Sequence, residues 1–297
     1  MSTTFYTAQE AAKVLATIAR GDLNLSSTVA RDVESDFNPS RGLVVPVRIP
    51  GATVAGTKSP SDVTTPLTVG SIVEQTVPVT IDVHAYNRQV LSEADLSLNL
   101  QDYASQVLRA QAAALAEYAE ARVTTVFKAT PLTELTYDAA NPARLFTQAR
   151  GRLRENGVSA STPLLAAVGS NVYGALLDGP VTTFDANGRV RGFSVLESTR
   201  LDADEVVFYI RNAATLVVRA PIAPEGAPFS ASVKVDTDDG SFAARLIRAY
   251  NPNVAAEESL VSVLLGARAM PLSVVDAATG EVDLVEHGGM IRVDTSA

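Results

Sequence analysis

The chain has 297 residues, enough for about two domains or one large one whose core needs no staples. It contains no Cys and two His, which excludes disulfide scaffolds, thiolate metal sites, thiol nucleophiles and a three-histidine metal centre within one chain. Lys and Arg number 24 against 33 Asp and Glu, a net charge of −9, and Trp is absent; neither a basic nucleic-acid footprint nor a stacking platform for bases is present.

The first helix is expected over Ala8–Arg20, with Thr7 as N-cap, Glu10 three residues on, and Ala11, Val14, Leu15 and Ile18 as its apolar stripe up to Gly21. A polar connector, Asp22–Arg41, has the look of an arm that docks elsewhere. Residues 42–50 alternate like a strand, but Pro46 and Pro50 confine it to an edge or a free hairpin. Gly51–Pro66 reads as a flexible tip carrying Lys58, and Thr68–Val83 returns as a strand interrupted by Pro78. This arm has few large side chains and is marginal alone, so it needs a neighbouring subunit or domain to lie on.

The most marked element is a long Ala-rich helix over Asn99–Phe127, with Leu100, Tyr103, Val107, Leu108, Leu115, Tyr118 and Arg122 at three- and four-residue steps. A second helix, Asn141–Asn156, shows an Arg face of Arg144, Arg150, Arg152 and Arg154 that suits ion pairs better than phosphates in so acidic a chain. Pro163–Val168 reads as a buried strand, with Ser170 capping a short helix to Leu177. Asn187-Gly188 marks a hairpin turn, with strands at Val190–Glu197 and Glu205–Ile210. Strands follow at Ser230–Asp236 and Ser241–Ala249 across an Asp-Asp-Gly turn, and at Leu260–Leu265, ending at Gly266. The last 27 residues carry strand and turn signals (Ala278-Thr-Gly280, Gly288-Gly289) and read as a small β tail. The fold class is α+β.

No catalytic signal rises above this background. Asp236-Thr-Asp-Asp-Gly240 places its Gly one residue early for a calcium loop and lacks the bidentate Glu, so it reads as a hairpin turn. Asp283, Glu286 and His287 read as solvated tail residues, and His84, beside Tyr86 and Arg88 in a strand pattern, as an interface or hydrogen-bonding residue. Gly169-Ser170-Asn171 is neither a nucleophile elbow nor a phosphate loop. We assign no catalytic, cofactor or metal site, and the chain is expected not to be an enzyme. No secretory signal opens the sequence and no apolar run of about 18 residues crosses a membrane, so a soluble cytoplasmic product is expected.

Two stretches carry a family resemblance: Val79-Thr-Ile-Asp-Val-His-Ala-Tyr-Asn-Arg-Gln-Val-Leu-Ser-Glu-Ala-Asp95 leading into the long helix, and Val235-Asp-Thr-Asp-Asp-Gly-Ser-Phe-Ala-Ala-Arg-Leu-Ile-Arg-Ala-Tyr-Asn251 with Ser259–Gly266. Together with the order of parts, they resemble the major capsid (coat) proteins of tailed bacteriophages, of HK97-type fold, in the branch of short-tailed enterobacterial and actinobacterial phages. The resemblance implies an N-terminal arm at 1–41, an extended E-loop at 42–82 and a peripheral domain at 83–140 whose spine is the long helix. It implies an axial domain at 141–240 and return strands of the peripheral domain at 241–270. Residues 271–297 have no counterpart, and the chain is too short for the inserted domain of the enterobacterial relatives. The implied function is self-assembly, as pentamers and hexamers, into an icosahedral shell around double-stranded DNA in the virion, assembled in the host cytoplasm. Further partners would be scaffolding, portal and decoration proteins, with no sequence-specific DNA contact and no membrane. An encapsulin-like nanocompartment shell and a phage tail or connector protein are the alternatives. The intersubunit contacts expected are Arg48 and Lys58 of the arm with Glu117 or Glu120 of a neighbour's spine helix; a covalent crosslink from Lys58 to a neighbour's Asn is the rarer option.

Overall fold

The structure, a computed structural model, describes residues 7–34, 42–49, 55–67, 75–92, 104–180, 183–227, 229–237, 240–275 and 282–296. Helix α1 (Ala8–Gly21) starts as the sequence dictates: the Thr7 hydroxyl accepts from the Glu10 amide while the Glu10 carboxylate accepts from the Thr7 amide, a complete capping box. Its buried face, Ala11, Ala12, Leu15, Ala16 and Ala19, is mostly alanine, so the backbone lies close to what it covers. Helix α2 (Arg109–Ala129) is the expected spine, entered through a single π-helical segment at Ala104–Leu108; the first residues of the expected helix, 99–103, lie outside the described residues.

Both helices cover one face of a large sheet of six strands: β1 (Ala30–Glu34), β4 (Val83–Ser92), β9 (Ala214–Arg219), β10 (Phe229–Thr237), β11 (Gly240–Asn251) and β12 (Ala256–Ala269). The order is β1-β9-β12-β11-β10, with β4 along the other flank of β12 over ten residue pairs. Strand β12 outruns the expected Leu260–Leu265 at both ends and passes through Gly266 instead of stopping there. A Cβ at Gly266 would sit 2.2 Å from the Thr80 carbonyl oxygen, so the glycine marks a close backbone approach and not a strand end.

A second, five-stranded sheet has the order β15-β8-β5-β7-β6, from β5 (Leu164–Val168), β6 (Arg189–Val190), β7 (Phe193–Glu197), β8 (Glu205–Tyr209) and β15 (Met290–Asp294). Helix α3 (Ala143–Glu155) packs on it through Phe146, whose ring meets Phe208 and Phe193 edge-on at 5.0 and 5.8 Å. Helix α4 (Ser170–Leu177) follows β5; Gly169, not Ser170, is its N-cap, because the backbone of Asp202 and Ala203 crowds that position too closely for any side chain. The hairpin turn between β6 and β7 falls at Arg191-Gly192, both at positive φ, and not at Asn187-Gly188. Asp185 turns the chain at the earlier site, accepting from the amides of Asn187 and Arg189.

Three expected boundaries move. Strands β9 and β10, expected in the axial unit that ran to 240, hydrogen-bond into the large sheet with the return strands. Strand β1, expected as part of an arm that docks elsewhere, pairs parallel with β9 of its own chain. The expected C-terminal tail is no appendage: β15 is an integral edge of the second sheet, and only β13 (Leu272–Val275) and β14 (Val282–Val285) form a separate hairpin. The reason is shared throughout. One main core runs from Ala11 of α1 to Val293 of β15, and strand partners come from wherever the chain re-enters it.

Candidate functional site

Strands β2 (Val44–Ile49) and β3 (Gln75–Thr80) form an isolated antiparallel ribbon, the arm the prolines foretold. Pro46 and Pro78 face each other across it. The Ile81 amide donates to the Leu43 carbonyl at 2.7 Å, which puts the alternate pairs Leu43–Ile81, Val45–Val79 and Val47–Val77 in the hydrogen-bonded register and the two prolines between them. Val45, Val77 and Val79 point one way and pack with Ile81, Val217 and Met270 into a small second core on the sheet face opposite the helices. The Arg268 guanidinium donates to the Pro78 carbonyl at 2.7 Å and pins the ribbon's base.

Past the ribbon, the described residues of the arm, 55–67, are exposed apart from half-buried Asp62. Its tip, expected to be flexible, is held by its own polar groups: Asp62 accepts from the amides of Thr64 and Thr65 and from the Thr64 hydroxyl, and Lys58 donates to the Thr65 carbonyl. These bonds hold the Asp62 carboxyl well below the ordinary carboxylate range. The turn they fix presents Val63, 92% exposed, and Leu67, 80% exposed.

Of the four expected contact residues, Arg48 lies on β2 at the arm's base. It is exposed beside a cavity of 340 Å³ that Val47, Met270, Pro271 and Asn212 also line. Lys58 lies at the tip, so the two arm cations face different neighbourhoods. Glu117 and Glu120 share a groove with Asp22, Glu197 and Arg200, but their fates differ. Glu117 is exposed and pairs with Arg200 at 3.2 Å. Glu120 is 5% exposed; its carboxylate accepts from the amides of Asn24, Leu25 and Ser26, each at 2.9 Å, and from the Ser26 hydroxyl. Glu120 is therefore spent inside its own chain, tying the segment after α1 to the spine, and is not free for a neighbour's cation. An apolar stripe of α2 implied that position only as a helix face; the four amide and hydroxyl donors come from a turn nearly a hundred residues away.

Three of the four arginines on the exposed face of α3 bond within the chain. Arg150 donates to the Arg191 carbonyl at 3.1 Å, Arg154 donates to the carbonyls of Val158, Ser159 and Ala160, and Arg152 pairs with Glu155. Gly192 sits at φ +89, a conformation that side-chain-bearing residues rarely adopt, which is why the tight β6–β7 turn holds glycine there. Sequence reading missed a groove of 220 Å³ between β4 and α2, walled by Val83, His84, Tyr86, Ala114, Leu115 and Tyr118. Tyr86 is 66% and Tyr118 41% exposed, and burial, with Arg245 nearby, holds the His84 imidazole below its ordinary value. The signal was the alternation His84-x-Tyr86-x-Arg88-x-Val90 along β4, the strand's exposed face.

No protein-family model and no curated protein matches the chain. Solved structures do. A chain of Mycobacterium phage Che8 matches with TM-score 0.58 and 16% identity over 100% of this chain and 95% of that one. The capsid of the cyanophage P-SCSP1u matches with TM-score 0.54 and 13% identity over 90% and 86%. The virus-like particle from Pyrococcus furiosus matches with TM-score 0.51 and 12% identity over 95% and 97%. At such identities the likeness is one of fold. The chain has the α+β, HK97-type fold of tailed-phage capsid shells, as the stretches at 79–95 and 235–251 led one to expect.

Proposed function

We propose that the chain is a major capsid protein of a tailed bacteriophage, self-assembling in many copies into an icosahedral head shell around double-stranded DNA. The observation that carries this reading is the arm. A two-stranded ribbon keeps its outer face exposed, and its pre-formed tip presents Val63 and Leu67 to solvent, beside a body built around one main core. Burial of that ribbon on neighbours interlocks subunits, and the groove between β4 and α2 offers an apolar surface on the same body. The acidic balance keeps the inner wall from sticking to packaged DNA. The role is structural, with the virion as its location and copies of itself as first partners, in pentamers and hexamers; scaffolding, portal and decoration proteins are further partners.

Within this reading, Lys58 and Arg48 meet neighbouring carboxylates, and Glu117 is the spine acid available to them. Its pairing with Arg200 is exposed and worth at most about 1 kcal/mol, so it exchanges readily. Electron microscopy of the purified full chain after size exclusion tests the proposal. Closed shells tens of nanometres across support it, and a chain that stays monomeric even beside its neighbouring gene products overturns it. The likeness to a virus-like particle favours a nanocompartment shell as the second reading, and the contents of the shells, DNA or protein, separate the two.

A further inference from the structure

Arg31 stands second in β1, an edge strand held by five parallel pairings to β9. It is level with Leu216, which belongs to the main core, whereas the next residue of β9, Val217, belongs to the small core under the arm. The Arg31 side chain is thus turned into the layer between sheet and helices. Its Nε, Nη1 and Nη2 are all sealed from solvent, and none has a hydrogen-bond partner. Glu120 is the carboxylate that bears on it, but both Glu120 oxygens are already taken by the turn at 24–26. Arg20 and Arg211 add charge of the same sign. Burial is the dominant effect and lowers the guanidinium to about 10. A sealed, unpaired cation is among the costliest groups a fold can hold, and a strand carrying one on an open edge is weakly docked.

We infer that Arg31 keeps β1 weakly docked on β9 in the free subunit, and that on assembly β1 lifts so that Arg31 takes a carboxylate from a second copy of the chain. The second copy is the partner the charge balance fits, since the chain carries 33 acidic residues against 24 basic ones. Among the described residues β1 is hydrogen-bonded to β9 alone in the sheet, so the ladder to be broken when it lifts is on one side. The second half of this inference rests on the shell reading; the first does not.

The test compares wild type, Arg31→Met and Arg31→Lys as full-length chains. Hydrogen exchange of the β1 amides is followed in the unassembled protein. Removing the charge while keeping the bulk is expected to slow that exchange about tenfold, with Arg31→Lys behaving like wild type. Shell yield, measured by electron microscopy and sedimentation, is expected to fall for Arg31→Met despite its more stable subunit. Unchanged or faster exchange in Arg31→Met overturns the weak docking. Slower exchange with full shell yield overturns the carboxylate from a second copy. A wild-type chain that makes no shells removes that second half together with the shell reading, while the exchange comparison still decides the first.

Discussion

Arg292 on the C-terminal strand donates its Nε to the carboxylate of Glu205 on β8, and its Nη1 to the Lys128 carbonyl at the end of the spine helix, at 2.7 Å. Glu205 is 3% exposed, so the pair is a buried joint between the second sheet and the helix that the large sheet rests on. The Thr133 amide, donating to the Arg292 carbonyl at 2.8 Å, closes the same joint from the other side. Replacing Arg292 with Met leaves an unpaired buried carboxylate and is expected to cost about 3–5 kcal/mol. Denaturant unfolding should show this loss, and Glu205→Gln should lose less.

Glu120→Ala removes the acceptor of three amides and a hydroxyl in the turn after α1. Donors left buried cost about 1–3 kcal/mol each, offset where water enters. The expected signature is faster hydrogen exchange confined to residues 24–28, with Glu120→Gln restoring part of the protection.

Gly266→Ala drives a methyl group against the Thr80 carbonyl. Backbone cannot step aside as a side chain can, so β12 or the arm must shift, at about 1–3 kcal/mol. Because Thr80 ends β3, the expected effect is a loosened arm base, read as increased protease cleavage near residues 43–47 and 77–82.

The Asp62 carboxyl is held below its ordinary value by hydrogen bonds from Thr65 and Thr64. A lowered carboxylate contributes order fully present above the unfolded value of about 3.9, which is lost as pH falls through the lower folded value. The Thr64 and Thr65 amide resonances should therefore hold their positions through pH 4 and move only in stronger acid. Asp62→Asn should abolish that titration.

Lys58→Glu is expected to leave the subunit fold intact, since Lys58 is exposed and its hydrogen bond is to the Thr65 carbonyl of the tip itself. Within the proposed shell it is expected to lower assembly yield and thermal stability of the particle, with the melting point of the free subunit unchanged. Wild-type yield from this variant would remove Lys58 from the intersubunit contacts.

Local signals carried well wherever the physics was local. The Thr7–Glu10 capping box, the proline-marked ribbon and the alanine-rich spine were all legible because caps, missing amides and helical periodicity are written in neighbouring residues. The misreadings came from long range. Gly266 read as a stop because its reason, the Thr80 carbonyl, lies far away in sequence. Residues 290–294 read as a tail because nothing near them announces that β8 needs an edge partner. Glu120 read as an acid open to a neighbour's arm because its donors are supplied by a turn that no helical period predicts. The carbonyl acceptors of Arg150 and Arg154 on α3 were illegible for the same reason, since they sit in the loops the helix holds.

The opposed prolines of the arm have a consequence for what the protein avoids becoming. In the register of the ribbon, the amides of positions 46 and 78 would point outward, one from each rim, and proline supplies neither. A long bare ribbon is otherwise a seed on which further strands stack without end. With both rims notched at the same level, neither offers an unbroken row of donors to an incoming strand. That works against open-ended fibril growth while leaving the ribbon's outer face, the one turned away from Val217 and Met270, free to lie across another molecule.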